Sequence, residues 1–111
     1  MPGKLTTHVL DTVKGKPAEG VLIELHALRG GERVFIAAAR THSDGRTTEP
    51  MLTGETMKTG RYELTFHVGD YFGEKSFLDE VPVRFQITDA TQHYHVPLVC
   101  SPWAYSTYRG S

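Results

Sequence analysis

Cysteine, long hydrophobic runs and a surplus of either charge are what this 111-residue sequence has least of. A single cysteine, Cys100, leaves no partner for an intrachain disulfide and fits a reducing compartment. No nucleophile motif surrounds it, so it reads as a small buried apolar residue. Thirteen acidic residues nearly cancel twelve basic ones, and no Lys/Arg stripe forms, which excludes the electrostatic footprint of a nucleic-acid or anionic-membrane partner. No apolar run approaches the length of a membrane span. The leading MPGKLTTHVLD has one lysine and nothing resembling a signal peptide's hydrophobic region. A cytoplasmic location is expected, or a peroxisomal or periplasmic one if a targeting segment is missing from the chain.

Internal repeats, low-complexity segments and any long helical period are missing too, and a length of 111 residues fits one domain over residues 1–111. What recurs instead is short period-two alternation punctuated by Gly, Pro and Asp turn signals. Strands are expected over residues 5–12, 21–28, 34–41, 61–68, 81–88, 93–99 and 103–108. Gly30-Gly31 closes a hairpin, Ser43-Asp44-Gly45-Arg46 is a tight turn, and Pro102 separates the last two strands. Tyr62, Leu64, Phe66 and Val68 alternate on one face, which predicts a central strand. Residues 47–60 read as a loop with a short edge strand, and residues 69–76 as room for one helical turn. A β-sandwich is the economical way to bury these faces, so the class is all-β.

Chemistry concentrates at the end of the sequence, in HYHVPLVCSPWAYSTYRGS. A strand period of two places His93 and His95 on one face, with Cα atoms roughly 6 to 7 Å apart. Such a pair can chelate a metal, can supply a general base, or can be two hydrogen-bonded histidines of a half-buried face. His8 shares a face of the first strand with Thr6 and Leu10, and Arg46 brings five fixed donors to a turn exit. Tyr108, Arg109, Gly110 and Ser111 add donors and acceptors suited to a heterocycle of alternating N–H and C=O groups. His26, His42 and His67 have no comparable neighbours and read as surface or sheet-face residues.

Taken together, LTTHVLD at 5–11, SDGRT at 43–47, HYHVPL at 93–98 and SPWAYSTYRGS at 101–111 resemble the transthyretin-related 5-hydroxyisourate hydrolases over essentially the whole length. The YRGS ending looks like the signature separating these hydrolases from transthyretin. The resemblance implies a transthyretin-like β-sandwich of two four-stranded sheets with one short helix. It implies a homotetramer, a dimer of dimers, with sites in a channel between dimers and an inactive isolated chain. The implied reaction opens 5-hydroxyisourate at its C6–N1 bond, giving 2-oxo-4-hydroxy-4-carboxy-5-ureidoimidazoline in urate degradation, with no metal and no cofactor. His8, Arg46, His95 and Tyr108 are the implied catalytic set. His8, Arg46, Tyr108 and Ser111 are the implied substrate contacts, with Arg109 and Gly110 shaping the site.

Water is a poor nucleophile at neutral pH, and a histidine meets the need for a base with little tuning. His95 is taken as the partner of the attacking water and His8 as its orienter or proton relay. Two other readings follow from the same residues. A channel of this fold can carry an apolar ligand without chemistry, although His8, Arg46, His95 and Tyr108 make it polar. Alternatively, His8, His93 and His95 can supply three nitrogens to a metal that keeps one position open to water.

Overall fold

A computed structural model describes residues 3–110. The alternating runs form β1 (Lys4–Asp11), β2 (Lys16–Pro17), β3 (Leu22–Arg29), β4 (Glu32–Arg40), β5 (Leu52–Thr53), β6 (Gly60–Phe66), β7 (Val81–Ile87), β8 (Tyr94–Cys100) and β9 (Tyr105–Thr107). One short helix, α1 (Val68–Phe72), follows β6, and a 3-10 turn occupies Gly54–Thr56. No helix among the described residues is long and apolar enough to cross a membrane.

These strands make two sheets. One is antiparallel with the order β4-β3-β6-β7. The other follows β2-β1-β8-β9, with β5 added beside the start of β1. Each sheet thus holds the expected four-strand path, and the predicted edge strand of the 47–60 loop becomes a fifth member of the second. Gly30 and Gly31 close the β3–β4 hairpin with φ of 57° and 82°, the two positive values that a tight hairpin turn requires. The Lys14–Pro17 stretch is more than a turn, because Lys16 and Pro17 pair back onto Asp11 and Leu10. His93 lies just ahead of β8 and is exposed, so the predicted strand starts one residue later.

The inner faces are apolar, as the alternation requires. Leu5 and Val9 of β1, Ile23 and Leu25 of β3, Leu64 and Phe66 of β6, and Leu98 of β8 are fully buried. The predicted central strand is β6, hydrogen-bonded to β3 and β7. Both its faces are covered, which the alternation alone did not indicate. Glu63 is buried on the outer face because Arg33 and Arg84 fold over it, at 2.8 Å to Oε2 and 3.1 Å to Oε1, while the Thr65 hydroxyl donates to Oε2. Cys100 is buried, and its thiol pKa is pushed up to about 12 by burial and by Asp11. It is inert packing, as expected from its surroundings in sequence.

Asp11 ends β1 inside the protein. Its Oδ1 accepts the amides of Val13 and Lys14, and its Oδ2 accepts the Tyr71 hydroxyl at 2.6 Å. Burial alone would raise the Asp11 pKa, but the hydrogen bonds from Tyr71, Lys14 and Val13 outweigh it and hold the carboxyl below its usual range. The same contact docks α1 against the end of β1.

Candidate active site

The outer face of the second sheet carries the polar cluster. β1 and β8 run parallel with Thr6 paired to His95 and His8 paired to Pro97. Because Leu5, Thr7 and Val9 point into the core, Thr6 and His8 point out, on the same face as His95. The three residues owe their proximity to this pairing between strands far apart in sequence.

On the other side of β1, between β2 and β5, the turn at residues 42–46 completes the edge. The Gly45 carbonyl accepts the Val9 amide at 2.9 Å, and the Gly45 amide donates to the His42 carbonyl. Gly45 has a φ of 77°, and a Cβ there would lie 2.5 Å from the Val9 oxygen and 2.9 Å from Cδ2 of His8. Only glycine lets the turn approach so closely. The Asp44 carbonyl accepts Nε2–H of His8 at 2.8 Å, and its Oδ1 accepts the Arg46 amide at 3.0 Å. One turn therefore fixes the His8 tautomer and sets where Arg46 leaves the backbone.

The chain end reaches the same face through β9, which pairs with β8 at Leu98–Cys100. Beyond it the Gly110 amide donates to the His95 carbonyl at 2.7 Å. Arg109 holds this segment in place: its guanidinium lies 4.1 Å from the Tyr94 ring centroid, with Nη2 donating to Gln92 Oε1 at 2.9 Å and to the His93 carbonyl at 3.4 Å.

Thr6, Arg46, His93, His95, Tyr108 and Gly110 line one open hollow of about 390 Å³. Three of the four expected catalytic residues, Arg46, His95 and Tyr108, meet there with Gly110. His8 stands beside it, its ring centroid 6.5 Å from that of His95. Ser111 lies outside the described residues. Thr6 was not singled out from the sequence, yet its hydroxyl is 2.8 Å from both Nδ1 of His95 and Nε2 of His93. The strand period gave Thr6 its outward face, and only the parallel register reveals its partner.

Among the described residues, no carboxylate lines the hollow. Burial, then the Arg46 guanidinium and the neighbouring His8 and His93 rings, lower the His95 pKa from the ordinary 6.5. The neutral imidazole is thereby favoured next to a permanently charged guanidinium, which suits proton abstraction beside a developing anion. His93 and His95 direct nitrogens at the Thr6 hydroxyl. Among the described residues, no group of three or more His, Cys, Asp or Glu is arranged to hold a metal ion.

A profile of the HIUase/Transthyretin family matches residues 5–110. The chain belongs to this family. It is similar to 5-hydroxyisourate hydrolase 2 of Rhizobium meliloti, 53% identical over 98% of this chain and 97% of that protein. Among solved structures it matches (S)-allantoin synthase with a TM-score of 0.92 and 46% identity, covering 99% of this chain and 44% of that one. Sea bream transthyretin in complex with thyroxine matches with a TM-score of 0.88 and 27% identity over 96% of this chain and 94% of that one. The sandwich is thus shared with proteins named as enzymes and with a transthyretin solved in complex with thyroxine.

Proposed function

We propose that this protein hydrolyses 5-hydroxyisourate to 2-oxo-4-hydroxy-4-carboxy-5-ureidoimidazoline in urate degradation. The observation that carries this reading is the convergence of His95, favoured as a neutral base, with Arg46 in one hollow on a sandwich whose relatives are named for this activity. The hollow on the outer face of the second sheet is built of hydrogen-bonding and cationic groups. An apolar hormone has little to gain from that lining, whereas a heterocycle rich in carbonyls does.

His95 takes a proton from water as the oxygen attacks the C6 carbonyl, and the C6–N1 bond breaks when the leaving nitrogen is protonated. Arg46 holds substrate oxygens and stabilises the charge growing on the tetrahedral centre, where one well-placed donor is typically worth about 3 to 4 kcal/mol. Tyr108 and Ser111 orient the ring through hydrogen bonds. His8, locked by the Asp44 carbonyl, contributes to substrate contact, and its ring beside His95 helps to disfavour protonation there. No cofactor is required by this scheme.

The active form is a homotetramer, a dimer of dimers, in which the outer faces of the second sheet meet and enclose the hollow. Support comes from the openness of the hollow in one chain and from the exposed ring of Tyr108 that lines it, with Trp103 and Tyr105 also leaving apolar surface in water in the segment leading to it. Light scattering should give four times the 12.4 kDa chain mass. The buried, reduced Cys100 accords with a cytoplasmic location.

The test is the ultraviolet decay of 5-hydroxyisourate freshly made from urate by urate oxidase, in chelator-treated buffer. Acceleration over spontaneous decay in proportion to protein concentration supports the reading. Saturable binding of an iodinated aromatic by the folded tetramer, without acceleration, would replace it with a carrier.

A further inference from the structure

The histidine joined to His95 by hydrogen bonds is His93, through Thr6, and this arrangement deepens the hydrolase reading, on which it rests. We propose that Thr6 is a positioning residue that sets the His95 tautomer and, with His93, forms a proton relay behind the catalytic imidazole.

A threonine hydroxyl has one proton to donate, and the Thr6 hydroxyl lies 2.8 Å from a nitrogen of each histidine. It therefore donates to one and accepts from the other, which leaves two polarities for the chain. In the first, Nδ1–H of His95 donates to Thr6 Oγ1 and Thr6 donates to Nε2 of His93. His95 then carries its lone pair on Nε2, the form a general base needs. In the second, His93 donates to Thr6 and Thr6 donates to Nδ1 of His95, which places the His95 proton on Nε2, the form a general acid needs. Switching between them moves protons over hydrogen-bond distances only.

The reaction uses the two polarities in turn. Water transfers a proton to Nε2 of His95 as its oxygen bonds to C6. The Nδ1 proton moves to Thr6 Oγ1 while the proton of Thr6 moves to Nε2 of His93. The charge then rests on His93, which is exposed to solvent, and not on His95, which is half-buried against Arg46 and His8. When C6–N1 breaks, the Nε2 proton of His95 goes to N1 and the chain runs back, so His93 returns its proton. Atoms and charge balance without another reactant. Among the described residues, the groups facing His95 in the hollow, namely Arg46, His93 and Tyr108, together with His8 beside it, include no carboxylate to neutralise an imidazolium. Passing the proton outward is the relief the geometry offers.

Threonine at this position serves two roles. Its branched carbon suits the strand, and the paired register of Thr6 with His95 places the hydroxyl beside the ring. Valine keeps the shape and removes the hydroxyl, while serine keeps the hydroxyl.

The experiment compares the native tetramer with Thr6→Val, Thr6→Ser and His93→Gln by nitrogen-15 NMR of the histidine rings and by 5-hydroxyisourate turnover against pH. The native protein should show His95 protonated at Nδ1. Thr6→Val should lose that preference and lower kcat about tenfold with little change in KM, as expected for one missing hydrogen bond in the transition state. Thr6→Ser should restore both, and His93→Gln should keep the tautomer yet lower kcat. A native His95 protonated at Nε2, or a Thr6→Val protein with native tautomer and native kcat, would overturn the proposal. Should Thr6→Val fail to fold, native kcat in His93→Gln would overturn the relay. If the native protein leaves 5-hydroxyisourate untouched, the hydrolase reading fails, and the NMR spectra still decide whether Thr6 sets the tautomer.

Discussion

The Cα of Gly110 faces the His95 imidazole so closely that a Cβ there would lie 2.7 Å from Cδ2 and 3.3 Å from Cγ. The same glycine donates its amide to the His95 carbonyl. The tail thus grips the histidine from backbone and ring sides at once. Gly110→Ala should leave the melting temperature nearly unchanged, because Gly110 lies outside the core on a single isolated bridge to His95, while the ring is displaced. Displacements of about 1 Å at a reacting group cost up to about a hundredfold in rate. Turnover with circular dichroism as a folding control checks this, and native turnover would show that the ring accommodates a methyl group.

Gly45 supports the site from the opposite side. A non-glycine residue at its φ of 77° costs about 1 to 2 kcal/mol before any clash is counted, and here the clash is with the Val9 carbonyl and the His8 ring. Gly45→Ala should lower both stability and activity. Gly20, with a φ of 86° and open space around it, is the control. Gly20→Ala should lower stability alone, as read by thermal melts alongside turnover.

The depressed His95 pKa gives activity and stability the same sign. As pH falls through 6.5, an ordinary histidine in the unfolded chain takes up its proton first, while His95 in the folded chain resists. Its contribution to stability is therefore present above about 6.5 and lost as pH falls toward the lower folded value. The acid limb of kcat/KM should likewise lie below 6.5. In an NMR titration of the ring, Arg46→Gln should move the His95 midpoint upward by removing one of the charges that opposes protonation. A midpoint unmoved by this change would remove Arg46 from the field around His95.

Tyr71→Phe tests how α1 is held. The Tyr71 hydroxyl donates to a buried carboxylate, and hydrogen bonds to charged groups contribute about 1.5 to 3 kcal/mol. Denaturant unfolding should show a loss in that range, and the Asp11 pKa should rise because its shortest donor is gone. A loss below about 0.5 kcal/mol would mean that water replaces the hydroxyl.

Much of this architecture is legible in residue spacing. Leu5, Thr7 and Val9 alternate inward, so His8 must face out, and Tyr62, Leu64 and Phe66 mark a buried strand. The turn around Gly45 is equally plain. Spacing does not report which strands become neighbours, and the parallel β1–β8 pair joins segments separated by the whole other sheet. For that reason Thr6 was invisible as a partner of His95. Glu63 eluded the pattern for a related reason, since its burial depends on arginines from β4 and β7 that fold over β6. His93 showed an opposite failure: strict alternation put it on a strand, whereas the chain is still turning into β8 at that point, freeing the ring to reach Thr6.

The central claim, that His95 activates water on 5-hydroxyisourate, is tested most directly by following substrate decay with native protein and with His95→Ala at equal protein concentration. The account predicts that His95→Ala turns over at least about a hundredfold more slowly while keeping its fold and assembly, the lower end for losing a general base. Turnover within a few-fold of native in a folded His95→Ala protein would contradict it.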